Sequence, residues 1–260
     1  MGRKNSLRSA FLLFLTASAF IASSALAADA LCNRSGADLL QQAIDPAQRL
    51  SFENHGGLFN GGVCWWHSRF QRNALYLAKF RPELPKLSRE DNFALIQRLR
   101  HFNVVEFPGY KNLQEFSKEN EDLIQNELER WQLDDGTIGF GWIDGLEGES
   151  KYLAPELLKQ SMDELFNLVV IHREIAFQKL QIPGITSHAW LVIDMISQGQ
   201  NYQLKVIDSN YPEEVKTVNY RMGDTHVTMP YNGWTFIPYT ERQNDFASIT
   251  ATLQEYCSSL

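Results

Sequence analysis

The chain has 260 residues, of which 31 are acidic and 24 basic, so its formal net charge at pH 7 is −7. Hydrophobic residues make up 44% of the sequence and aromatic residues 12%, which is enough to build a sizeable folded core. An acidic chain without a basic cluster is poorly suited to nucleic acid or an anionic membrane as its main partner. The composition therefore predicts a soluble, acidic globular protein.

The N-terminus has the pattern of a secretory signal peptide. A basic start is followed by a short apolar stretch, residues 11–21, and by small residues that end at Ala27. We expect cleavage near Ala27, which removes residues 1–27 and leaves a single domain over residues 28–260 in the periplasm or outside the cell. No later stretch has the roughly 18 uninterrupted apolar residues of a membrane helix, so no integral membrane segment is expected after cleavage.

The three cysteines carry the first chemical signal. Cys32 and Cys257 lie near opposite ends of the expected mature chain, and an exported protein meets an oxidising environment in which they can form a disulfide. Such a bridge would stabilise the fold by roughly 5 kcal/mol in the loop-entropy picture. The pairing leaves Cys64 as an odd, reactive thiol. The alternative is three unrelated free thiols.

The first part of the expected mature chain has a helical pattern. A glycine-rich loop, residues 53–62, leads into Cys64. Apolar residues then recur at three- and four-residue spacing, which indicates amphipathic helices. Four stretches show this pattern: residues 65–79, 88–100, 112–133 and 154–180. Ser88 is a suitable N-cap for the second helix, and Pro183 follows the last one.

Beyond Pro183 the pattern changes to short strands. β-Branched and aromatic residues are concentrated in short runs separated by turn residues. The runs are residues 189–193, 202–207, 214–218, 226–229 and 233–237. Helices followed by strands predict an α+β fold. Because Cys64 falls in the helical part and His188 at the start of the first strand, an active site would lie in a cleft between the two layers.

Three residues suggest thiol chemistry. Cys64 begins a predicted helix, where unpaired N–H groups and the helix dipole favour a thiolate. His188 heads one predicted strand and Asp208 ends the next, so a hairpin would bring a base and an orienting acid face to face. Taken singly, each has a plain alternative: a buried cysteine, a structural histidine and an ordinary turn. Their order along the chain favours catalysis.

Four short segments resemble those of papain-like cysteine peptidases. They are Gly61-Gly-Val-Cys64-Trp65, Ser187-His188-Ala189, Val206-Ile-Asp208-Ser-Asn210 and Asn232-Gly-Trp234. The resemblance implies a papain-like α+β fold, in which a helical half with the Cys64 helix packs against an antiparallel β-sheet half with His188 and Asp208. It also implies a Cys-His-Asp triad, with Asn210 as the alternative third member.

The resemblance implies further site residues. Papain-like enzymes place a glutamine before the cysteine to stabilise the oxyanion, but Leu58 stands there, so the nearest amide, Asn60, takes this role beside the Cys64 backbone N–H. Three tryptophans are expected to wall an apolar cleft, with burial in the core as their alternative role: Trp65, Trp190 and Trp234.

A weaker resemblance is to the cysteine/histidine amidohydrolase–peptidases, called CHAP domains, that cut peptidoglycan peptides. Cys64-Trp65-Trp66 and His188 with Asp208 partly fit their pattern, although the cysteine-to-histidine spacing in that family is much shorter. This resemblance adds cell-wall peptide to the candidate substrates.

The predicted function is therefore an exported thiol hydrolase that cleaves a peptide or isopeptide bond through an acyl-enzyme. Two alternatives stay open: a transglutaminase-like acyl transferase, and a catalytically silent envelope protein that binds peptides or proteins. No cofactor or metal is expected, because Cys64 and His67 lack a second pair of ligands. The sequence makes no prediction of the oligomeric state.

Overall fold

The computed structural model describes residues 31–58, 61–137, 152–182, 187–239 and 245–260. The helices in these ranges are α1 Gly36–Ile44, α2 Cys64–Leu77, α3 Arg89–Arg100, α4 Leu113–Glu119, α5 Glu121–Thr137, α6 Pro155–Phe166 and α7 Asp245–Ser258. The strands are β1 Ala78–Arg81, β2 Val105–Pro108, β3 Ala176–Gln181, β4 Ser187–Gln198, β5 Asn201–Asp208, β6 Val215–Tyr220, β7 Val227–Thr228 and β8 Thr235–Tyr239. The predicted signal peptide lies outside the described residues.

Helices α2 and α3 confirm two of the predicted helices to within two residues at each end. Ser88 caps α3 as expected, because its hydroxyl accepts a hydrogen bond from the Asp91 N–H at 3.1 Å. The predicted helix over residues 112–133 is instead two helices, α4 and α5. They meet at Asn120, whose side chain donates to the Tyr110 hydroxyl at 3.2 Å and to the Phe116 carbonyl at 3.0 Å.

The predicted papain-like fold class, with an open antiparallel sheet, is wrong. Strands β3 to β8 form a closed antiparallel barrel in the order of the chain, and β8 pairs back onto β3. A separate parallel pair joins β1 to β2. The barrel closes through β3, a stretch for which the apolar spacing had predicted the end of a long helix over residues 154–180.

The predicted helix ends early for a local reason. Regular helix stops at Phe166, a π-helical turn covers Asn167–Ile171, and Arg173 then adopts a left-handed backbone with φ of 60°. A residue in the left-handed region cannot continue a right-handed helix, so the chain changes direction at Arg173. The apolar residues beyond Arg173 then pack as a strand, because pairing with both β4 and β8 satisfies their backbone groups.

Two apolar clusters form the core. In one, helices α1 through α5 and helix α7 pack against the outer face of the barrel. The barrel strands contribute Ala189, Leu191, Ile193 and Ile207 to this cluster. The other fills the barrel and includes the buried face of α6. Side chains of β4 alternate between these clusters, as the period of a strand requires. The helical layer and the barrel therefore share one wall, made by β4 and β5.

The predicted disulfide is confirmed. Cys32 and Cys257 are bonded, with their Cα atoms 5.6 Å apart and 225 residues between them in the sequence. The bridge ties α7 to the segment that precedes α1. Within the ranges that the structure describes, no helix has the length and apolar character needed to cross a membrane.

Candidate active site

Cys64 is the first residue of α2 and the free cysteine of the described chain. It is buried, with 8% of its surface exposed, and its Sγ lies 3.9 Å from the Ser187 carbonyl oxygen. The N-cap residue of α2 is Val63, whose apolar side chain has no group that could accept a bond from the first-turn N–H donors. The thiol therefore lies beside the positive end of a helix without a side-chain cap.

The loop that leads to Cys64 is held from two sides. On one side, α5 accepts hydrogen bonds from the loop backbone: Gly57 N–H reaches Glu129 at 3.1 Å and Leu58 N–H reaches Gln132 at 2.8 Å. On the other side, Asn54 accepts from the Val63 N–H at 2.5 Å. These hydrogen bonds hold the first turn of α2 in position in the absence of substrate.

Gly62 is required for this arrangement. Its φ is +83°, and a Cβ at this position would lie 2.6 Å from the Asn54 amide nitrogen. Any other residue would be strained in the backbone and would also displace the Asn54 side chain. The Gly-Gly pair that precedes Cys64 in the sequence thus has a structural reason in its second member.

His188 and Asp208 meet at one end of the barrel. Their Nε2 and Oδ1 atoms are 2.7 Å apart, and the two side chains are 4% and 1% exposed. The predicted face-to-face register is wrong in detail, because the strands meet at Gln198 and Asn201 and Asp208 lies opposite Trp190, even after a one-residue shift between Val192 and Asp194. His188 is two residues from Trp190, so the diagonal neighbours still share a face.

The Asp208 carboxylate accepts two further hydrogen bonds. The Asn210 N–H donates to Oδ1 at 2.9 Å, and the Tyr231 hydroxyl donates to Oδ2 at 2.6 Å. Burial raises the pKa of Asp208, but the bonds from His188, Tyr231 and Asn210 outweigh burial and hold this pKa below its ordinary value. The carboxylate is therefore ionised at neutral pH.

His188 contacts both other members of the predicted triad. Burial lowers the pKa of His188, but the interactions with Asp208 and with the Cys64 side chain outweigh burial and raise this pKa to about 10. The ring is accordingly an imidazolium at neutral pH, and it lies beside the sulfur.

A second buried histidine lies one turn after Cys64. The His67 ring donates from Nε2 to the Phe52 carbonyl at 3.0 Å and packs edge-on against the Phe52 ring. Burial lowers the pKa of His67 to about 4, so the ring is neutral at neutral pH. His67 is therefore a neutral packing residue.

The alternative third member, Asn210, does not face the imidazole. Its Oδ1 accepts from the Asn54 amide at 3.0 Å, while its backbone N–H serves Asp208. Asn232 also points elsewhere, because its Oδ1 accepts from the Trp234 N–H at 3.0 Å. Asp208 is thus the acceptor that the His188 ring meets. The predicted oxyanion residue, Asn60, lies outside the described residues.

The three predicted cleft tryptophans occupy different environments. Trp190 is fully buried in the barrel, where Nε1 donates to Gln178 at 2.7 Å, so it is a core residue and not part of a cleft wall. Trp65 is 9% exposed, and the Lys179 ammonium lies 4.1 Å from its ring centroid. Trp234 is 46% exposed and is the tryptophan of this set with a surface that a substrate could contact.

Sequence reasoning missed the contributions of Tyr231 and Asn54. Tyr231 follows Met229-Pro230 in a turn, which is not a pattern associated with a triad. Asn54 precedes Cys64 by ten residues, and its side chain joins the nucleophile loop to Asn210. Neither role has a sequence signal, because both depend on where separate loops meet.

The described residues contain no group of three or more histidine, cysteine, aspartate or glutamate side chains that could hold a metal ion. Comparisons with family models, with curated proteins and with solved structures found no match to this chain.

Proposed function

We propose that this protein is a thiol hydrolase that cleaves an amide bond of a peptide or protein substrate. The observation that carries the proposal is the buried His188 imidazole, which lies 2.7 Å from the Asp208 carboxylate and interacts electrostatically with the Cys64 side chain. The proposal rests on this arrangement and on the helix start at Cys64. It does not include the papain-like fold, which the closed barrel excludes.

The geometry supports a two-step reaction. The Cys64 thiolate attacks the scissile carbonyl carbon, and the His188 imidazolium gives its proton to the leaving amine as the C–N bond breaks. Water then attacks the thioester, its proton passes to His188, and the C–S bond breaks to release the acid. The Cys64 backbone N–H, in the uncapped first turn of α2, is placed to stabilise the oxyanion.

Asp208 supports both steps. Its Oδ1 contacts His188 Nε2, which leaves Nδ1 as the ring nitrogen available for proton transfer with the sulfur. Because Asp208 is buried and ionised, it also stabilises the imidazolium that alternates with the neutral ring during the reaction. The substrate class follows from the predicted export and the amide chemistry: a peptide or protein, with cell-wall peptide among the candidates.

Thiol labelling tests the proposal. Iodoacetamide at pH 6 reports the thiolate, and because Cys32 and Cys257 are bonded, the label reports Cys64. A free thiol with a pKa near 8.5 is roughly 0.3% thiolate at pH 6, so we expect native Cys64 to react at least tenfold faster than glutathione. His188→Ala should abolish this advantage.

Two controls define the result. Cys64→Ala should take up no label, which shows that the reaction is at Cys64. His101→Ala removes an exposed histidine at the end of α3 and should label like the wild type. Equally slow labelling of the wild type and of His188→Ala would overturn the proposed function.

A further inference from the structure

We propose that Tyr231 is a positioning residue of the site, whose hydroxyl holds the Asp208 carboxylate in the orientation that His188 requires. The proposal rests on the proposed function, because it assigns Tyr231 a role in the same thiol chemistry. Tyr231 does not touch the sulfur or the substrate in this role. It acts through Asp208.

The hydrogen bonds of Asp208 divide between its two oxygens. Oδ1 accepts from His188 at 2.7 Å and from the Asn210 N–H at 2.9 Å, whereas Oδ2 accepts from Tyr231 at 2.6 Å. Rotation of the carboxylate about its Cβ–Cγ bond would break bonds at both oxygens together. Since Asp208 is 1% exposed, water cannot readily replace Tyr231 as the donor. The Tyr231 hydroxyl is therefore the contact that holds Oδ2, the carboxylate oxygen that His188 does not contact.

Tyr231 is itself rigidly supported. It lies in the turn between β7 and β8, which is closed by the Met229 N–H to the Trp234 carbonyl at 2.7 Å and by the Gly233 N–H to the Met229 carbonyl at 2.8 Å. The Tyr231 ring packs edge-on against Tyr211, with centroids 5.4 Å apart. A backbone bond of 2.9 Å also links the Tyr211 N–H to the Asp208 carbonyl.

A cation completes the support. The Lys216 ammonium lies 4.4 Å from the Tyr211 centroid and 5.4 Å from the Tyr231 centroid. Cations over aromatic faces are attractive at these distances. Lys216 of β6 therefore contacts both rings beside the end of β5, where Asp208 lies. Three neighbouring segments thus converge on one hydroxyl.

The phenol is suited to this task because it stays neutral. Burial and the adjacent Asp208 charge raise the pKa of Tyr231 far above its ordinary value, so the hydroxyl keeps its proton wherever the enzyme would work. It can donate to Asp208 without competing with His188 as an acid. A tyrosine here orients the carboxylate while leaving proton transfer to the imidazole.

The test compares Tyr231→Phe with Tyr211→Phe as the matched control. Each change removes one hydroxyl, but only Tyr231 donates to Asp208. The rate of Cys64 carboxamidomethylation is measured from pH 4 to pH 9. Without the Tyr231 donor the Asp208 carboxyl holds its proton more tightly, so we expect the acid limb to move up by about half to one pH unit. On the acid limb, below the pH at which Asp208 titrates, the rate at a given pH should fall about three- to tenfold, and Tyr211→Phe should follow the wild type.

Asp208→Asn completes a double-mutant cycle. If Tyr231 acts through Asp208, the added Tyr231→Phe change should have less than a twofold effect on the labelling rate in the Asp208→Asn background. The cycle keeps the test informative should Tyr231→Phe also lower the melting temperature, because a purely structural loss would lower the rates of both backgrounds alike.

The outcomes separate the two proposals. Fast, His188-dependent labelling of the wild type together with a Tyr231→Phe profile that superimposes on it would leave the proposed function standing and overturn the role of Tyr231. A uniform loss of rate without a shift of the acid limb would also overturn it. Slow labelling of the wild type would overturn the proposed function and this inference together.

Discussion

The nucleophile side and the base side of the site are assembled by different means. His188 and Asp208 lie 20 residues apart in one β-hairpin, so local strand pairing brings them together. Cys64 depends on partners from remote parts of the chain. Arg69 of its helix contacts Asp245, which is 176 residues further along the chain, and Asn54 of its loop contacts Asn210, which is 156 residues further along. The base pair is a product of register, whereas the thiol is placed by long-range packing.

A buried ionic cluster shows this difference most clearly. Arg69 on α2 donates from Nε to Asp245 at 2.5 Å, and Arg72 donates to the same carboxylate at 3.1 Å. Arg69 also reaches Asp135 at 2.5 Å and lies 4.2 Å from the Trp131 ring centroid. The cluster holds α2 against both α5 and α7. Perturbing it should harm the thiol more than the base.

The largest effect is expected from Asp245→Ala. This change removes a carboxylate, 6% exposed, that two buried guanidinium groups contact, and breaking such a group costs about 4 kcal/mol of unfolding free energy. Denaturant unfolding measures the loss. Asp122→Ala is the control, because its ion pair with Arg89 is more than half exposed on both sides and should cost less than about 1 kcal/mol. Equal effects of the two changes would refute the importance of the cluster.

Removal of the disulfide should have the next largest effect. The pair Cys32→Ser and Cys257→Ser opens a covalent loop that spans 225 residues. Measured losses on disulfide removal are often smaller than the roughly 5 kcal/mol of the loop-entropy picture, so we expect a cost of about 3 kcal/mol. The bridge anchors α7, which carries Asp245. Without it, the rate of Cys64 labelling should vary among the molecules of the sample, while the His188–Asp208 contact persists. Thermal unfolding and the histidine NMR signals of His188 measure the two expectations. An unchanged melting temperature would contradict the first.

Asp208→Asn tests the base side through pH. The pKa of His188 is raised to about 10, so its contribution to stability is fully present below its unfolded value of 6.5 and is lost as the pH rises toward 10. The pKa of Asp208 is lowered, so its contribution is present above 3.8 and is lost as the pH falls. The wild type should therefore exceed Asp208→Asn by about 2 kcal/mol near pH 6, and the gap should narrow by pH 10.

The measurement is the free energy of unfolding from pH 4 to pH 10. Asp194→Asn is the control, since Asp194 pairs with Lys205 on the same two strands but away from the site. Its curve should run parallel to that of the wild type. A gap between Asp208→Asn and the wild type that stays constant from pH 6 to pH 10 would show that His188 is not held as an imidazolium.

The smallest effect is expected from Asn54→Ala. The change removes one hydrogen bond to the Val63 N–H and one to Asn210, for a loss of about 1 kcal/mol. The labelling rate of Cys64 should fall by a larger factor than this small loss of unfolding free energy would explain, because the nucleophile loop loses its link to the turn after Asp208. Asn103→Ala, which removes two exposed hydrogen bonds near the end of α3, is the control. Equal labelling of both variants would show that the loop is positioned without Asn54.

The sequence predicted individual elements better than it predicted how they assemble. The helices around Cys64 and after Ser88 and the Cys32–Cys257 pairing are confirmed, because periodicity, capping and cysteine parity are local or combinatorial signals. The sequence predicts helix where β3 forms, because the apolar spacing of this stretch fits both structures and only pairing with β4 and β8 decides between them. That single error made the barrel unforeseeable.

The candidate triad was predicted by residue type and order, and its catalytic role stays a prediction. What the sequence by itself determined is the set of reactive groups and the elements that begin or end at them. Only the tertiary structure decided that Asp208 and not Asn210 meets the imidazole, that Tyr231 holds the second carboxylate oxygen, and that Trp190 lies inside the barrel. The physical reason is that contacts between separate loops depend on closure of the whole sheet, including the one-residue shift in β4, and no local pattern encodes where those loops meet.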